Sequence, residues 1–263
     1  MAGLNFKNRW VLVTGASSGL GRSIAIELAS NECANLIISA RRTERLKELK
    51  NDIEKKYGTE VLIIKSDLSD PKSVKNLFEK SISQRDVYAL INNAGVTDFS
   101  LSEIEKYEIY EKIVEVNFKA LMRLSLLFLD YFKKKNGGAI LNITSMGGLF
   151  PLVYQNVYCA SKHAAQAFTE ILYAENENKN ITISSFAPGG IVTEMLEYTG
   201  LDKKKGSKSI FNHSPEKVAK SAIRSFKKRK LLGIPGVMYS FGLQMKRVLP
   251  RKTLLKMLKN SYK

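Results

Sequence analysis

The chain has 263 residues, of which 44% are apolar, 25% charged and 9% aromatic, a balance that excludes a disordered or collagen-like polymer. Two cysteines (Cys33, Cys159) and two histidines (His163, His213) give neither a disulfide framework nor metal-ligand spacing, which argues against a structural zinc or a haem attachment site. Net charge is +17 but uneven: residues 1–200 hold 24 Lys+Arg against 23 Asp+Glu, residues 201–263 hold 18 against 2.

Short β-branched runs alternate with longer helical patterns, and no internal repeat interrupts them. Strands are predicted at Trp10–Thr14, Asn35–Ala40, Val61–Ile64, Val87–Ile91, Ala139–Ile143 and Ile181–Phe186. Helices are predicted at about 20–29, at Arg42–Lys56, from Pro71 onward, over 102–135, and over 155–176. A further one starts at Ser214-Pro215-Glu216, with Ser as N-cap and Pro at the first helical position. Strands covered on both faces read as unbroken apolar runs, and strict β/α alternation implies parallel pairing with right-handed crossovers. The predicted class is α/β: a single Rossmann-like, doubly wound parallel sheet with helices on both faces, occupying residues 1–240. A basic amphipathic extension follows over 241–263.

The first strand runs into Thr14-Gly15-Ala16-Ser17-Ser18-Gly19-Leu20-Gly21. Glycines between a strand and a helix allow a tight turn, a close approach of pyrophosphate to the backbone, and close helix packing. The helix start then offers unpaired N–H groups to phosphate. Gly15-Ala16-Ser17-Ser18-Gly19 also fits the hydrolase pattern G-x-S-x-G. That chemistry needs a histidine base, and His163 stands on a helix directly beside Lys162, so the nucleotide reading is preferred.

The spacing T-G-x-x-x-G-x-G at 14–21 resembles the short-chain dehydrogenase/reductase superfamily. Further matches lie in order: Asn92-Asn93-Ala94-Gly95, Asn117, Ser145, Tyr158-x-x-x-Lys162 and Pro188-Gly189. Each is weak alone; the ordered set, across about residues 8–195, is specific. Tyr158 and Lys162 are four apart and share a helix face. A free phenol, with a pKa of about 10, is a poor acid–base partner near neutrality. A neighbouring ammonium, helped by an oxidised nicotinamide, is expected to lower that pKa, so that Tyr158 exchanges a proton with a carbonyl oxygen. Ser145 is expected to hydrogen-bond the same oxygen. The resemblance implies that Lys162 also holds the nicotinamide ribose and that Asn117 supports a proton-relaying water.

Cofactor choice rests on the end of the second strand. A carboxylate there would accept from the ribose hydroxyls of NAD; this chain has Ala40-Arg41-Arg42. A guanidinium suits a 2′-phosphate, so NADP(H) is expected, with Arg41 as main contact and Ser17 adding a hydroxyl. Ser18 stands where NADP-preferring relatives often carry a second basic residue. The resemblance further places Gly15, Ser18, Gly19, Leu20 and Gly21 at the phosphates and Asp67 and Leu68 beside the adenine. It places Asn92, Ala94 and Gly95 on the adenosine ribose side. Pro188, Gly189, Ile191 and Thr193 fall along the nicotinamide.

Residues 194–213 are expected to form a substrate lid, apolar with a basic Lys203-Lys204-Lys205 rim. Leu149, Phe150, Pro151, Leu152 and Val153 are expected to face the same pocket. Together they suggest a partly apolar carbonyl or alcohol substrate (an acyl, steroid or other lipid-like ketone). In the last segment Lys252, Lys256, Lys259 and Lys263 line one helix face, and Leu254, Leu255, Met257 and Leu258 the opposite one. Docking on the body or a second subunit is favoured over contact with an anionic membrane surface. No nucleic-acid recognition motif accompanies the charge. No signal peptide or spanning run is seen, so a cytoplasmic protein is expected, with peripheral membrane association as the variant. Resemblance also implies a homodimer or homotetramer through the helices at 102–135 and 155–176. The competing class is a dinucleotide-binding adaptor or sensor that uses the basic tail for partners.

Overall fold

A computed structural model of the chain describes residues 3–177, 180–191, 194, 213–236 and 249–260. Among them, seven strands form one parallel sheet in the order β3-β2-β1-β4-β5-β6-β7. The strands are β1 (Trp10–Thr14), β2 (Asn35–Ala40), β3 (Val61–Lys65), β4 (Val87–Asn92), β5 (Gly138–Ile143), β6 (Ile181–Phe186) and β7 (Leu232–Gly233). The helices are α1 (Gly19–Glu32), α2 (Thr43–Tyr57), α3 (Pro71–Gln84), α4 (Tyr107–Val114), α5 (Leu121–Lys134), α6 (Asn156–Ala174), α7 (Pro215–Lys227) and α8 (Arg251–Asn260).

Side chains alternate across each strand, and both faces are buried. Val11, Val13, Leu36, Ile38, Ala89 and Ile91 pack beneath α1, α2 and α7. Leu12, Ile37, Leu90 and Ile140 pack against α3, α5 and α6 on the other face, where Phe128 and Phe132 are fully buried. Helix starts follow local chemistry. Asp70 accepts from the N–H groups of Lys72 and Ser73 at 2.9 and 3.1 Å, with Pro71 behind it. Ser214 caps α7 in the same way through Lys217 N. The chain leaves β1 toward β2 and β3, then returns to place β4 on the other side of β1. The loops after β1 and β4 therefore diverge, and a crevice opens at their C-terminal ends.

Three features differ from the sequence expectation. The helical region expected over 102–135 is broken: a 3₁₀ turn at Ile104–Lys106 precedes α4, and a π-helical segment, Glu115–Ala120, separates α4 from α5. β7 was not expected, because two residues carry no periodic pattern. Of the expected lid, Glu194 and His213 are described; Thr193 and residues 195–212 lie outside the described residues.

In the last segment α8 buries Leu254 and leaves Lys252, Lys256 and Lys259 exposed, together with Leu255 and Met257 of the expected apolar face. Its Arg251 and Leu255 line a surface hollow of about 360 Å³ with Pro151, Leu152, Val153 and Cys159, so this helix lies against the body. Residues 241–248 and Lys263 lie outside the described residues. No helix among the described residues is long and apolar enough to cross a membrane.

Candidate active site

The crevice is built first by close backbone packing. Gly15 has φ +68°, and a Cβ there would come within 2.8 Å of Ala94 Cα. A Cβ on Gly21 would lie 2.3 Å from the Gly15 carbonyl oxygen, so α1 can approach the loop only with glycine at that position. Thr14 Oγ1 accepts from Asn93 N and Ala94 N at 3.0 and 3.1 Å, and Asn93 Nδ2 donates to the Thr14 carbonyl at 3.0 Å. These bonds stitch the ends of β1 and β4 together. The sequence reading missed Thr14 and Asn93 as site-building residues, although both sit within the motifs it used.

The loop suits a phosphate-bearing ligand. The side chain of Ser18, the N-cap of α1, does not cap the helix, and the first turn has no acidic residue. The N–H groups of that turn therefore keep their affinity for an anion. Arg42 donates to Ser17 Oγ from Nε at 3.3 Å and from Nη2 at 3.2 Å, and to Ser18 Oγ at 2.6 Å. A cation and two hydroxyls thus stand beside an open helix start, and these residues fit a dinucleotide.

Arg41, expected as the main phosphate contact, does not make these bonds. Burial pushes Asp67 up, but hydrogen bonds from Ser69 and the nearby Arg41 guanidinium outweigh it and hold that carboxyl below its ordinary value. Arg41 thus belongs to the Asp67 side and Arg42 to the glycine loop. The backbone turn at Arg42, with φ −84° and ψ 88°, sends the two neighbours different ways. Leu68 packs partly buried against the core layer of α3 and α5. The side chain of Asn92 is not brought to the crevice: it donates to Asn142 Oδ1 at 2.9 Å and Ser125 Oγ at 3.1 Å inside the fold. Ala94 and Gly95 are brought there. Pro188 accepts from Met146 N at 2.8 Å, which joins the loops after β5 and β6. Gly189 and Ile191 follow in that loop, and Ile191 bridges to His213.

The four side chains expected to carry the chemistry come from three places: the π-helical segment, the turn after β5, and α6, which carries both Tyr158 and Lys162. Asn117 lies in the π-helical segment and is fully buried. Its Oδ1 accepts from Val96 N at 2.8 Å; its Nδ2 donates to Val96 O at 2.9 Å and Ser161 Oγ at 3.2 Å. Lys162, on α6, is buried and donates from Nζ to the Ile143 carbonyl at 3.0 Å. A Cβ on Gly95 would sit 3.4 Å from Asn117 Oδ1 and 3.5 Å from Lys162 Nζ, so the three residues meet at one point. Ser145 follows β5, and its Oγ accepts from Gly147 N at 2.9 Å.

Two glycines bring this turn onto α6. A Cβ on Gly147 would lie 3.2 Å from the Tyr158 ring and 3.3 Å from Ser145 Oγ; one on Gly148 would lie 2.6 Å from the Lys162 carbonyl oxygen. The sequence reading singled out neither, although a Gly-Gly pair just after a strand is the available signal.

Within the chain's own side chains, burial sets the electrostatics of Tyr158 and Lys162. Tyr158 is half-buried as a residue, yet desolvation of its hydroxyl pushes the pKa up to about 12, opposed by the hydrogen bond with Ser145. Lys162 is pushed down to about 8, also by desolvation. Its Nζ lies 6.0 Å from the centre of the Tyr158 ring and is committed to the Ile143 carbonyl. Burial thus favours the neutral form of both groups, and the amine by itself does not acidify the phenol.

Residues 9–204 match the family profile described as short chain dehydrogenase. The chain belongs to that family. As a short-chain dehydrogenase it is an oxidoreductase, and the sheet order and crevice agree with that assignment. It is 34% identical over 210 residues to the NADP-dependent 3-hydroxy acid dehydrogenase of Schizosaccharomyces pombe, covering 78% of this chain and 80% of that protein. It is 27% identical over 219 residues to the very-long-chain 3-oxoacyl-CoA reductase of Anas platyrhynchos, covering 81% of this chain and 67% of that one. Among solved structures, a short-chain dehydrogenase from Sphingobium yanoikuyae in complex with NADPH superposes with a TM-score of 0.81. It is 26% identical, with 94% of this chain and 95% of that one covered.

Proposed function

We propose that this short-chain dehydrogenase interconverts a carbonyl and a secondary alcohol with NADP(H) as cofactor. The observation that carries the reading is the convergence of Asn117, Ser145, Tyr158 and Lys162 beside a glycine loop overlaid by Arg42. The dinucleotide supplies or accepts the hydride. Gly15, Ser17, Ser18, Gly19, Leu20 and Gly21 hold its phosphates, and Arg42 the 2′-phosphate. Ala94, Gly95, Pro188, Gly189 and Ile191 line its path.

A high pKa keeps Tyr158 protonated at neutral pH, which suits a group that gives a proton to a carbonyl oxygen. Ser145 orients that oxygen and shares the phenol's proton. Lys162 has one observed partner, the Ile143 carbonyl, so its remaining N–H groups are available to ribose hydroxyls. Asn117 holds the backbone on which Lys162 and Gly95 meet, and is assigned to the proton relay.

The substrate is proposed to be partly apolar. The names of the two relatives, a 3-hydroxy acid and a 3-oxoacyl dehydrogenase or reductase, favour an acyl chain over a steroid. Pro151, Leu152 and Val153, beside α8 and the helix of Tyr158, are proposed to supply the apolar wall for the substrate. Self-association through α5 and α6 belongs to the same reading, since Leu126 and Ile171 are exposed there.

The test is NADPH oxidation with a series of 3-oxoacyl compounds. Tyr158→Phe is expected to lower kcat by about 10²–10⁴-fold, the range for a lost general acid, while NADPH binding, read by fluorescence, persists. Full activity in that variant would remove Tyr158 from the role of general acid.

A further inference from the structure

One carboxylate holds two guanidiniums at the edge of the glycine loop. Glu194 accepts from Arg42 Nη1 at 2.9 Å and from Arg45 Nη1 at 2.5 Å. It stands 152 residues from Arg42 in the chain, just beyond the Pro188-Gly189 turn after β6. The remaining nitrogens of Arg42 point at Ser17 and Ser18. Two guanidiniums and two hydroxyls are the donor set that a phosphate dianion takes, and guanidinium forks bind carboxylate and phosphate by the same geometry. A carboxylate and a phosphate cannot both sit against this pair without like-charge repulsion at contact distance.

We propose that Glu194 is an internal competitor of the cofactor phosphate for Arg42 and Arg45, so that it sets how strongly the enzyme discriminates NADPH from NADH. This rests on the NADP(H) reading above and adds a determinant on the far side of the crevice. Entry of a 2′-phosphate breaks the two Glu194 pairs. A cofactor without that phosphate leaves the pairs in place.

The experiment compares KM for NADPH and for NADH in wild type and in Glu194→Gln, which keeps the side-chain shape and removes the charge. Glu194 is partly exposed, and a thermal melt checks that the variant is folded. The ratio of KM for NADPH to KM for NADH is expected to fall about 3- to 10-fold, the scale of one or two exposed ion pairs. Calorimetry with 2′,5′-ADP should show tighter binding to the variant, and with ADP little change. An unmoved ratio overturns the proposal. A raised ratio overturns it too, since the carboxylate would then be helping to hold the phosphate end. A wild type without NADPH preference instead removes the cofactor reading on which the proposal stands, so the two failures are told apart.

Discussion

Asn117 grips the backbone of Val96 from both ends of its amide, accepting from the N–H at 2.8 Å and donating to the carbonyl at 2.9 Å. Its third bond reaches Ser161 on α6, so one buried side chain ties the exit of β4 to the helix of Tyr158 and Lys162. The π-helical segment makes this reach possible by turning residue 117 inward. Asn117→Ala leaves the polar groups of Val96 without their partner. It is expected to lower stability by about 2–4 kcal/mol, the scale of two or three buried hydrogen bonds lost on one side. Urea unfolding measures this, and kcat should fall in the same variant.

Lys162 gives a pH signature. Desolvation pushes its pKa down to about 8, against 10.5 for a free lysine. Between these values the unfolded chain binds more protons than the folded one, so the folded state gains stability as pH rises through that window. Below pH 8 the charged amine carries its full burial cost. Lys162→Met is therefore expected to be more stable than wild type by about 1–3 kcal/mol at pH 7. The advantage should shrink as pH rises from 8 toward 10.5. The unpaired Ile143 carbonyl lowers the gain at every pH, so the slope is the diagnostic. A pH-independent difference between the two proteins would remove the buried-amine account.

The strands were legible in the sequence because both faces of the sheet are covered, which makes runs such as Leu36-Ile37-Ile38 continuous in hydrophobicity. The positions of Asn117, Ser145, Tyr158 and Lys162 were legible from motif spacing. The protonation of the pair was not, because it depends on how deeply two side chains are desolvated. The π-helical segment was invisible for a related reason: one widened turn changes no apolar spacing over the helix. The direction of the Asn92 side chain was not legible from the motif alone. It stands beside the cofactor motif, but its amide is turned into the buried network of Ser125 and Asn142. Arg41 and Arg42 are chemically identical neighbours, and only the turn into α2 decides which one meets the loop.

That turn gives a direct comparison. Arg42→Ala removes the donors to Ser17 and Ser18, whereas Arg41→Ala removes a charge near Asp67. Loss of a charge-assisted contact to phosphate is expected to raise KM for NADPH about 10- to 100-fold in Arg42→Ala. The rise in Arg41→Ala should be several times smaller, and KM for NADH should rise less than KM for NADPH in both. Steady-state kinetics with the two cofactors checks the order. If Arg41→Ala proves the more damaging, Arg41 and not Arg42 is the main phosphate contact.

Gly147 and Gly148 separate packing at the reacting groups from packing on the helix. A methyl group at 147 meets the Tyr158 ring at 3.2 Å and Ser145 Oγ at 3.3 Å, tight contacts that side-chain shifts of a few tenths of an ångström relieve. Those shifts fall on the phenol and hydroxyl assigned to the carbonyl oxygen. Gly147→Ala is therefore expected to lose about 10- to 100-fold in kcat, since small misplacements of reacting groups carry losses of that order, with a modest fall in Tm. At 148 the methyl meets a helix carbonyl oxygen at 2.6 Å, and the backbone itself must move. Gly148→Ala should lower stability by about 1–3 kcal/mol, as overpacking does, and its Tm should fall further than that of Gly147→Ala. Thermal melts and initial rates on both variants test the split. Equal Tm losses with equal kcat losses would show that the turn and α6 move as one body.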